Sequence, residues 1–499
     1  MVNDGSPLEG SNARRLRRRH RGRAVDLQHP NDPPHQPPTG SLQPEEVFMK
    51  VAIVGSGISG LSAAHTLHGQ ADLTLFEAGD YFGGHTHTVD ITLPTPTGPA
   101  THGVDTGFLV FNERTYPHLI QLFDDLGVKT VKSDMSFSVQ APGALGNRAL
   151  EWSGSSIDTV FAQRRNLVNP RFLRMLRDLL RFNALCTRIA KANQDADLMQ
   201  PLARFLDLHR FSAEFRDWYF LPMLGCIWSC PTDQMLKFPV ATMIRFCHNH
   251  GLIQVSNRPQ WWTVQGGARH YVEKITATIA DKRLNTPVRR IERDLHAKGR
   301  GVRIVTDAGV ERFDKVILAT HSDQSLALLQ TPTRDERETL GAIRYQRNRA
   351  VLHTDTSMLP GNPKAWAAWN YERAASAKDE ASRVCLHYLI NRLQPLPFAQ
   401  QVIVSLNPAR EIDPAQILGE FDYEHPVFDQ AAIRAQSRAL ALQGRHDTYF
   451  AGAWMGYGFH EDGLKAGLSA ARQLLADTGP ARQRPTATAA ALASEALAA

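Results

Sequence analysis

The chain has 499 residues, 42% of them hydrophobic and 21% charged, with a formal net charge of +6. That length supports a large core and two or more folding units, and no run approaches the ~18 uninterrupted apolar residues of a membrane span. Much of the positive charge sits in ARRLRRRHRGR at residues 13–23; without it the chain is near neutral and carries no strong nucleic-acid footprint.

Residues 1–48 are rich in Arg, Pro, His and Asn and almost free of apolar side chains. Such a segment cannot bury a core and reads as a disordered or misannotated leader. A basic nucleic-acid arm is the alternative. No apolar stretch follows the arginines, so neither a Sec nor a twin-arginine signal is present. Met49 directly precedes the first strand, as a natural start codon would.

Residues 51–86 carry the strongest signal. A strand, Val51–Val54, runs into Gly55-Ser56-Gly57-Ile58-Ser59-Gly60; a small-residue helix, Leu61–Leu67, follows, then a strand, Leu73–Phe76, ending in Glu77. This is the layout of a dinucleotide-binding βαβ unit. Gly55 suits the tight turn, Gly57 lets the backbone approach a pyrophosphate, and Gly60 lets helix and strand pack closely. The helix N-terminus offers free N–H groups to the phosphates. Glu77, seventeen residues after Gly60, is placed to accept from both ribose hydroxyls and disfavours a 2′-phosphate. Ala78 and the sequence Gly83-Gly84-His85-Thr86 come next. A second glycine pair just past the acid brings further N–H groups to a long diphosphate, which separates FAD from NAD.

Downstream, Val104–Phe111 is apolar enough for a strand. Tyr116–Leu126 has helical spacing and stops at Gly127. Residues 165–215 read as mostly helical, with Phe172, Leu173, Leu176, Leu179 and Leu180 on one face and Arg174, Arg177 and Arg181 beside it. These arginines fit a solvated face, or contact with anionic lipid head groups. The five cysteines, Cys186, Cys226, Cys230, Cys247 and Cys385, include no CxxC; they fit reduced thiols in a cytosolic protein better than a disulfide framework. Cys226 and Cys230 are spaced to share a helix face, but no second pair completes a metal site, so no metal is expected. Residues 215–271 are rich in aromatics (Trp218, Tyr219, Phe220, Trp228, Trp261, Trp262, Tyr271) that suit core packing or the wall of an apolar pocket. Residues 302–323 read as strand, turn, strand, connector, strand. The last strand, Val316–Ala319, meets Thr320, and its small residues allow close approach to a cofactor. Finally, a short strand, Tyr449–Ala451, leads through Gly452 and a loop holding Gly456, Gly458, Phe459, His460, Glu461 and Asp462 into a helix from Gly463. That helix start would face the pyrimidine end of a flavin, where reduction deposits negative charge. Asp462 is equally suited to be the helix N-cap. From about Thr478 a Pro- and Ala-rich tail reads as disordered.

GSGISGLSAA, FEAGDYFGGHTHTVD, VDTGFLVFNERTYP, DMSFSV, WTVQGGARHY, VILATHSD and AGAWMGYGFHEDGLKAG together resemble the flavin-containing amine oxidase and phytoene desaturase superfamily. Within it, the chain from Met49 to about Asp477 is most similar to bacterial predicted NAD/FAD-binding proteins associated with cyclopropane-fatty-acyl-phospholipid synthases. The resemblance implies an α/β fold with an α+β insert: an interrupted Rossmann-like FAD-binding domain at 49–125, 255–335 and 425–477, and a mixed substrate domain at 126–254 and 336–424. It implies that Gly55, Ser56, Gly57, Ile58, Ser59, Gly60, Glu77, Gly83 and Gly84 hold the ADP portion, with Ala78, His85 and Thr86 also at the cofactor, and that Val288 touches adenine through its backbone. Asp105, Thr106, Gly107, Phe108, Ala319, Thr320, Gly452, Ala453, Phe459, Asp462, Gly463 and Leu464 complete the cofactor set. Ala453 stands where amine oxidases commonly carry an acid, and no cysteine falls where some bind flavin covalently, so noncovalent FAD is expected.

The leading functional expectation is hydride transfer from a substrate C–H to flavin N5, with an apolar acyl lipid as substrate. His460, Glu461 and His85 are the groups placed to take a proton. Amine oxidation, and a flavin-bound partner of a fatty-acyl methyltransferase without turnover of its own, are the alternatives. An NAD-dependent dehydrogenase is disfavoured by Gly83-Gly84. The expected setting is cytoplasmic, with peripheral contact at the inner membrane.

Overall fold

The computed structural model describes residues 48–192, 200–254, 258–296, 301–374 and 384–479. The leader expected at 1–48 and the tail expected from Thr478 lie outside these residues, apart from Phe48, Thr478 and Gly479. Among the described residues no helix is long and apolar enough to cross a membrane.

A five-stranded parallel sheet organises the cofactor side. Its order is Asp281–Arg283, Asp72–Phe76, Lys50–Val54, Lys315–Leu318, Thr448–Phe450. Val51, Ala52, Ile53 and Val54 are all buried, because helices or a second layer cover both faces of such a sheet and apolar residues then run continuously. Helix Ile58–Leu67 follows the first strand and packs along helix His460–Thr478. Small residues set that approach. A Cβ on Gly467 would run into the Ser59 carbonyl and the Ser62 hydroxyl, and one on Gly463 would press on Ile58. The Ser62 hydroxyl donates to the Leu464 carbonyl, 3.1 Å away, which ties the two helices where no larger side chain fits.

The second layer is a seven-stranded sheet of order Ile417–Val427, Arg344–His353, Ile403–Leu406, Cys385–Leu389, Trp369–Glu372, Phe137–Ala141, Leu150–Ser153. All its pairings are antiparallel except that of Phe137–Ala141 with Trp369–Glu372. A helical insert runs from Pro170–Ala192 through Leu221–Trp228 to Val240–Asn249.

Several sequence expectations are corrected. The strand expected at Val104–Phe111 ends at Asp105 and resumes only as Phe111–Asn112, because Asp105 turns inward to accept hydrogen bonds from the Ala268 N–H and the Thr88 hydroxyl. One continuous strand, Ile417–Val427, pairs along Arg344–His353 and runs across the position 424/425 expected to divide the domains. The last helix begins at His460 rather than Gly463 and runs to Thr478. Leu173 and Leu180, expected to share one face with Phe172, are exposed while Phe172 is buried; the buried stripe is Phe172, Met175, Phe182 and Cys186. Cys226 and Cys230 do not share a helix face, since the helix stops at Trp228 and Ser229 takes a left-handed conformation with φ 49°. All five cysteines are buried and none forms a disulfide.

Replacing Gly467 with Val forces apart the two helices that frame the glycine turn. The expected outcome is a loss of about 3 kcal/mol in chemical unfolding. Enlarging the exposed Ser469 of the same helix to Gln should leave the stability within about 0.5 kcal/mol of the parent.

Candidate cofactor and active site

The C-terminal ends of four parallel strands converge on one cavity of about 690 Å³. They deliver Gly55, Glu77, Ala319 with Thr320, and Gly452 to its wall, at the point where the first strand lies between neighbours reached in opposite directions. Gly55 has φ 98°, and a Cβ there would sit 2.7 Å from the Ala319 carbonyl; only glycine makes this turn. A Cβ on Gly60 would overlap the Gly55 carbonyl. Gly57 is different, for a Cβ on it would meet no protein atom within 4 Å. Its missing side chain leaves open cavity above the helix start. No side chain caps helix Ile58–Leu67, so its first N–H groups remain for an anion.

Glu77 secures this turn from the next strand. One carboxylate oxygen accepts from the Ser56 N–H (2.9 Å) and hydroxyl, the other from the Gly79 N–H at 2.9 Å. The Ser56 hydroxyl in turn accepts from the Gly83 N–H, 3.1 Å away. A Cβ on Gly84 would lie 3.1 Å from the Gly57 Cα, so the second glycine pair packs directly on the first. Ala78, Thr286 and Val288 close this end.

The far end is aromatic. Its lining includes Tyr116, Trp228, Trp261, Trp369, Tyr388 and Phe459, with Met135 and Ile227 among them. Trp369 and Tyr388 are opposite one another on neighbouring strands, with ring centroids 4.9 Å apart. Phe459 stacks on Phe246, which meets Trp228. Among the described lining residues the acids are Glu77 and Glu424, and there is no Asp, Lys or Arg. Glu424 is held by Arg347 at 2.9 Å and lies 3.5 Å from the His321 imidazole.

Between the two ends stand His85, His321, His425 and His460. Burial, followed by the neighbouring His425, His321 and His460, holds His85 well below the ordinary histidine range. Burial and then His321 bring His425 down to about 4. Burial alone brings His460 down to about 3. His460 stacks on Phe108 at 3.9 Å, and its Nε2 lies 2.7 Å from the Tyr271 hydroxyl. It is a neutral imidazole at neutral pH, fixed in orientation and a weak proton acceptor.

The other sequence-derived residues divide in two. Gly55 to Ser59, Glu77, Ala78, Gly83, Gly84, His85, Gly107, Phe108, Val288, Ala319, Thr320, Gly452, Ala453, Phe459 and His460 line the cavity. Gly60, Thr86, Asp105, Thr106, Glu461, Asp462, Gly463 and Leu464 stand behind it. Glu461 points away, to the start of helix Pro117–Leu126, where it accepts from the His118 and Leu119 N–H groups at 3.0 Å each and meets His118 Nδ1 at 2.7 Å. Its carboxylate complements that helix's positive end. Asp462 is not the N-cap, which is Phe459. From the first turn it accepts from the Tyr457 and Phe459 N–H groups at 3.1 and 3.0 Å, shaping the glycine loop. Burial raises it to about 6. Asp105, raised to about 7 by burial against the opposing pull of Thr88 and Ala268, braces the cavity floor. Thr106 donates to or accepts from the Tyr423 hydroxyl at 2.7 Å.

Of the seven aromatics noted between 215 and 271, Trp228 and Trp261 face the cavity; Trp218, Tyr219, Phe220 and Tyr271 are core, and Trp262 is half-buried against it. Trp369, Tyr388, His250, His425 and Tyr457 also line it, and sequence spacing does not single them out. Strand-like patterning around 384–389 would have placed Tyr388 on one face, but not against Trp369.

The site fits FAD. The glycine turn leaves open space at Gly57, the helix start is uncapped, and buried polar atoms at the cavity lack partners: His85 Nε2, Trp228 Nε1 and Trp369 Nε1. A parallel dinucleotide-type sheet joined to a mixed sheet across one elongated cavity defines a two-layer flavoprotein oxidoreductase. The family model for flavin containing amine oxidoreductases matches residues 58–355, and the chain belongs to that family: it is an FAD-dependent oxidoreductase. Among solved structures, cyclohexylamine oxidase from Brevibacterium oxydans IH-35A is similar at 18% identity and TM-score 0.62, over 87% of this chain and 100% of that one. A CLA-producing fatty acid isomerase from P. acnes is similar at 18% identity and TM-score 0.59, over 87% and 99%. Putrescine oxidase bound to putrescine matches at 18% identity and TM-score 0.60, over 86% and 99%. At these identities the likeness is one of fold. No curated protein sequence matches the chain.

Two outcomes follow from this geometry. A Gly57→Ala substitution fills only the cavity, so the apoprotein's stability stays within about 0.5 kcal/mol of the parent while flavin retained per polypeptide, read from visible absorbance, drops sharply. The histidines set a pH dependence. A buried imidazole whose folded value lies below the ordinary 6.5 contributes stability present above that pH and lost as pH falls through the folded value. The apoprotein is therefore expected to lose stability between pH 6.5 and about 3 on account of His460, and His460→Phe makes the fall of the urea midpoint across that window shallower.

Proposed function

We propose that the chain oxidises an apolar acyl-chain substrate, an unsaturated or methyl-branched acyl lipid, introducing a further double bond. The observation that carries this reading is the uncharged aromatic lining of the far half of the cavity. The two acids that line the cavity as a whole are already engaged, Glu77 with Ser56 and Gly79, and Glu424 with Arg347. An ammonium ion entering there would lose its water without gaining a free carboxylate, a large cost. A methylene chain would lose nothing and gain contact area on Trp228, Trp261, Trp369 and Phe459. That a fatty acid isomerase shares this fold is in keeping with an acyl occupant.

Bound FAD supplies the two-electron acceptor for the substrate C–H bond. Gly55 to Ser59, Glu77, Gly83 and Gly84 would hold its ADP portion, and the Gly452–Phe459 loop its other end. The chain's own residues exclude water from the far half and offer the acyl chain the ring surfaces of Trp228, Trp261, Trp369 and Phe459. His460 is kept neutral and fixed by Tyr271, so it orders the cavity wall without adding charge beside the reacting carbon. Desaturation also releases one proton from the neighbouring carbon, which passes to solvent water, since Glu461 is committed to the start of helix Pro117–Leu126.

The test is anaerobic bleaching of the purified yellow protein. Reduction by unsaturated or methyl-branched acyl lipids, with no response to a broad panel of amines, is expected. Cells lacking the gene should also lose a desaturated acyl species. Bleaching by amines and not by lipids would overturn the reading in favour of amine oxidation.

A further inference from the structure

We propose that the outer face of helix Pro170–Ala192, with the segments beside it, is a docking surface for an anionic lipid bilayer. Two independent features coincide there. The first is apolar exposure. Of the ten large hydrophobic side chains exposed among the described residues, six belong to this region: Ile157, Leu167, Val168, Leu173, Leu180 and Leu208. Val168 and Ile157 are each 82% exposed, and Leu208 is 66% exposed. Single exposed leucines are ordinary, but a cluster of them marks a contact surface.

The second feature is charge. The same helix exposes Arg171, Arg174, Arg177, Arg181, Arg188 and Lys191. The acids that meet them are Asp178 and Glu214, both buried. The guanidinium groups of Arg171 and Arg174 meet Glu214 and those of Arg177 and Arg181 meet Asp178, while the four side chains remain 43–72% exposed. Six cations over two acids give the face a net positive field. Leu173, Arg177 and Leu180 recur at helical spacing, so apolar and cationic groups share one line rather than opposite faces.

Contacts made by neighbouring residues hold the segments that carry these six side chains together. Asp158, next to Ile157, pairs with Arg164 at the start of the turn that carries Leu167 and Val168. That turn leads directly into the helix at Pro170. Further along, the Arg181 guanidinium donates to the His209 carbonyl, beside Leu208. The helix is roughly 35 Å long at 1.5 Å per residue, a footprint that lies flat on a membrane.

The occupant follows from the charge. A second copy of the same face would set cations against cations and is disfavoured. An anionic bilayer satisfies both features, taking the leucines between its acyl chains and the arginines at its phosphates. The surface also bears on the cavity. Helix Pro170–Ala192 packs against helix Val240–Asn249, whose C-terminal neighbour His250 lines the aromatic end.

The experiment is sedimentation of the full-length holoprotein with vesicles of phosphatidylcholine alone and of equal parts phosphatidylcholine and phosphatidylglycerol. Binding to the anionic vesicles, weakened by salt, is expected. Two variants report separately: Leu173→Ser with Leu180→Ser, and Arg177→Glu with Arg188→Glu. Each should lower partition onto anionic vesicles by about tenfold or more while keeping the parent's flavin content and melting temperature. Equal binding to both vesicle types, or variants that bind like the parent, would overturn the proposal. So would a concentration-dependent dimer, seen without vesicles and lost in the leucine variant, which would assign the face to a second copy. Vesicle binding needs no turnover, so its failure is distinct from failure of flavin reduction by lipids.

Discussion

The hydrogen bonds from Ser56 to the Glu77 carboxylate fasten the glycine turn to the neighbouring strand, and the rest of the site is built outward from that point. With the turn held, Gly57 faces open cavity and the uncapped helix start keeps its N–H groups available. The second glycine pair packs on Gly57 through Gly84 and locks the Ser56 hydroxyl through Gly83. Small residues on the last helix, Gly463 and Gly467, let it lie against the helix that follows the turn. Any bulk added at these positions acts on the same contact.

The cavity joins two environments that need different physics. The glycine end offers backbone donors and an acid, suited to a charged diphosphate and ribose. The aromatic end offers rings and no free charge, suited to a hydrocarbon. The histidines between them are neutral because burial disfavours their charged forms, with repulsion from neighbouring histidines adding to this at His85 and His425. A belt of neutral imidazoles there separates a phosphate-binding region from an apolar one, and the one carboxylate beside it, Glu424, is held by Arg347. The exposed Leu and Arg strip on the helical insert repeats this pairing on the surface, with apolar groups and cations side by side.

Much of the cofactor end was legible in the sequence because it depends on local backbone chemistry. Gly55, Gly57 and Gly60 announce themselves by spacing, and the acid after the second strand follows from the same unit. Glu461 shows the limit of such reasoning. It sits in a glycine-rich loop beside the cavity in sequence, yet its side chain turns to cap a helix more than three hundred positions earlier in the chain. Leu173 and Leu180 show another limit. Their apolar character suggests an inward face, but the helix is rotated so that Phe172, Met175 and Phe182 fill the core instead.

The sequence by itself determined the βαβ unit, the terminal acid and the second glycine pair, since each rests on residues close together in the chain. Tertiary structure alone decided the aromatic end. Trp369 and Tyr388 become neighbours by strand pairing, and Trp228 and Trp261 reach them from separate segments. It also decided which of two adjacent residues, His460 and Glu461, faces the cavity. Helical geometry turns successive side chains by about 100°, and what lies on either side of that helix is set by packing between distant parts of the chain.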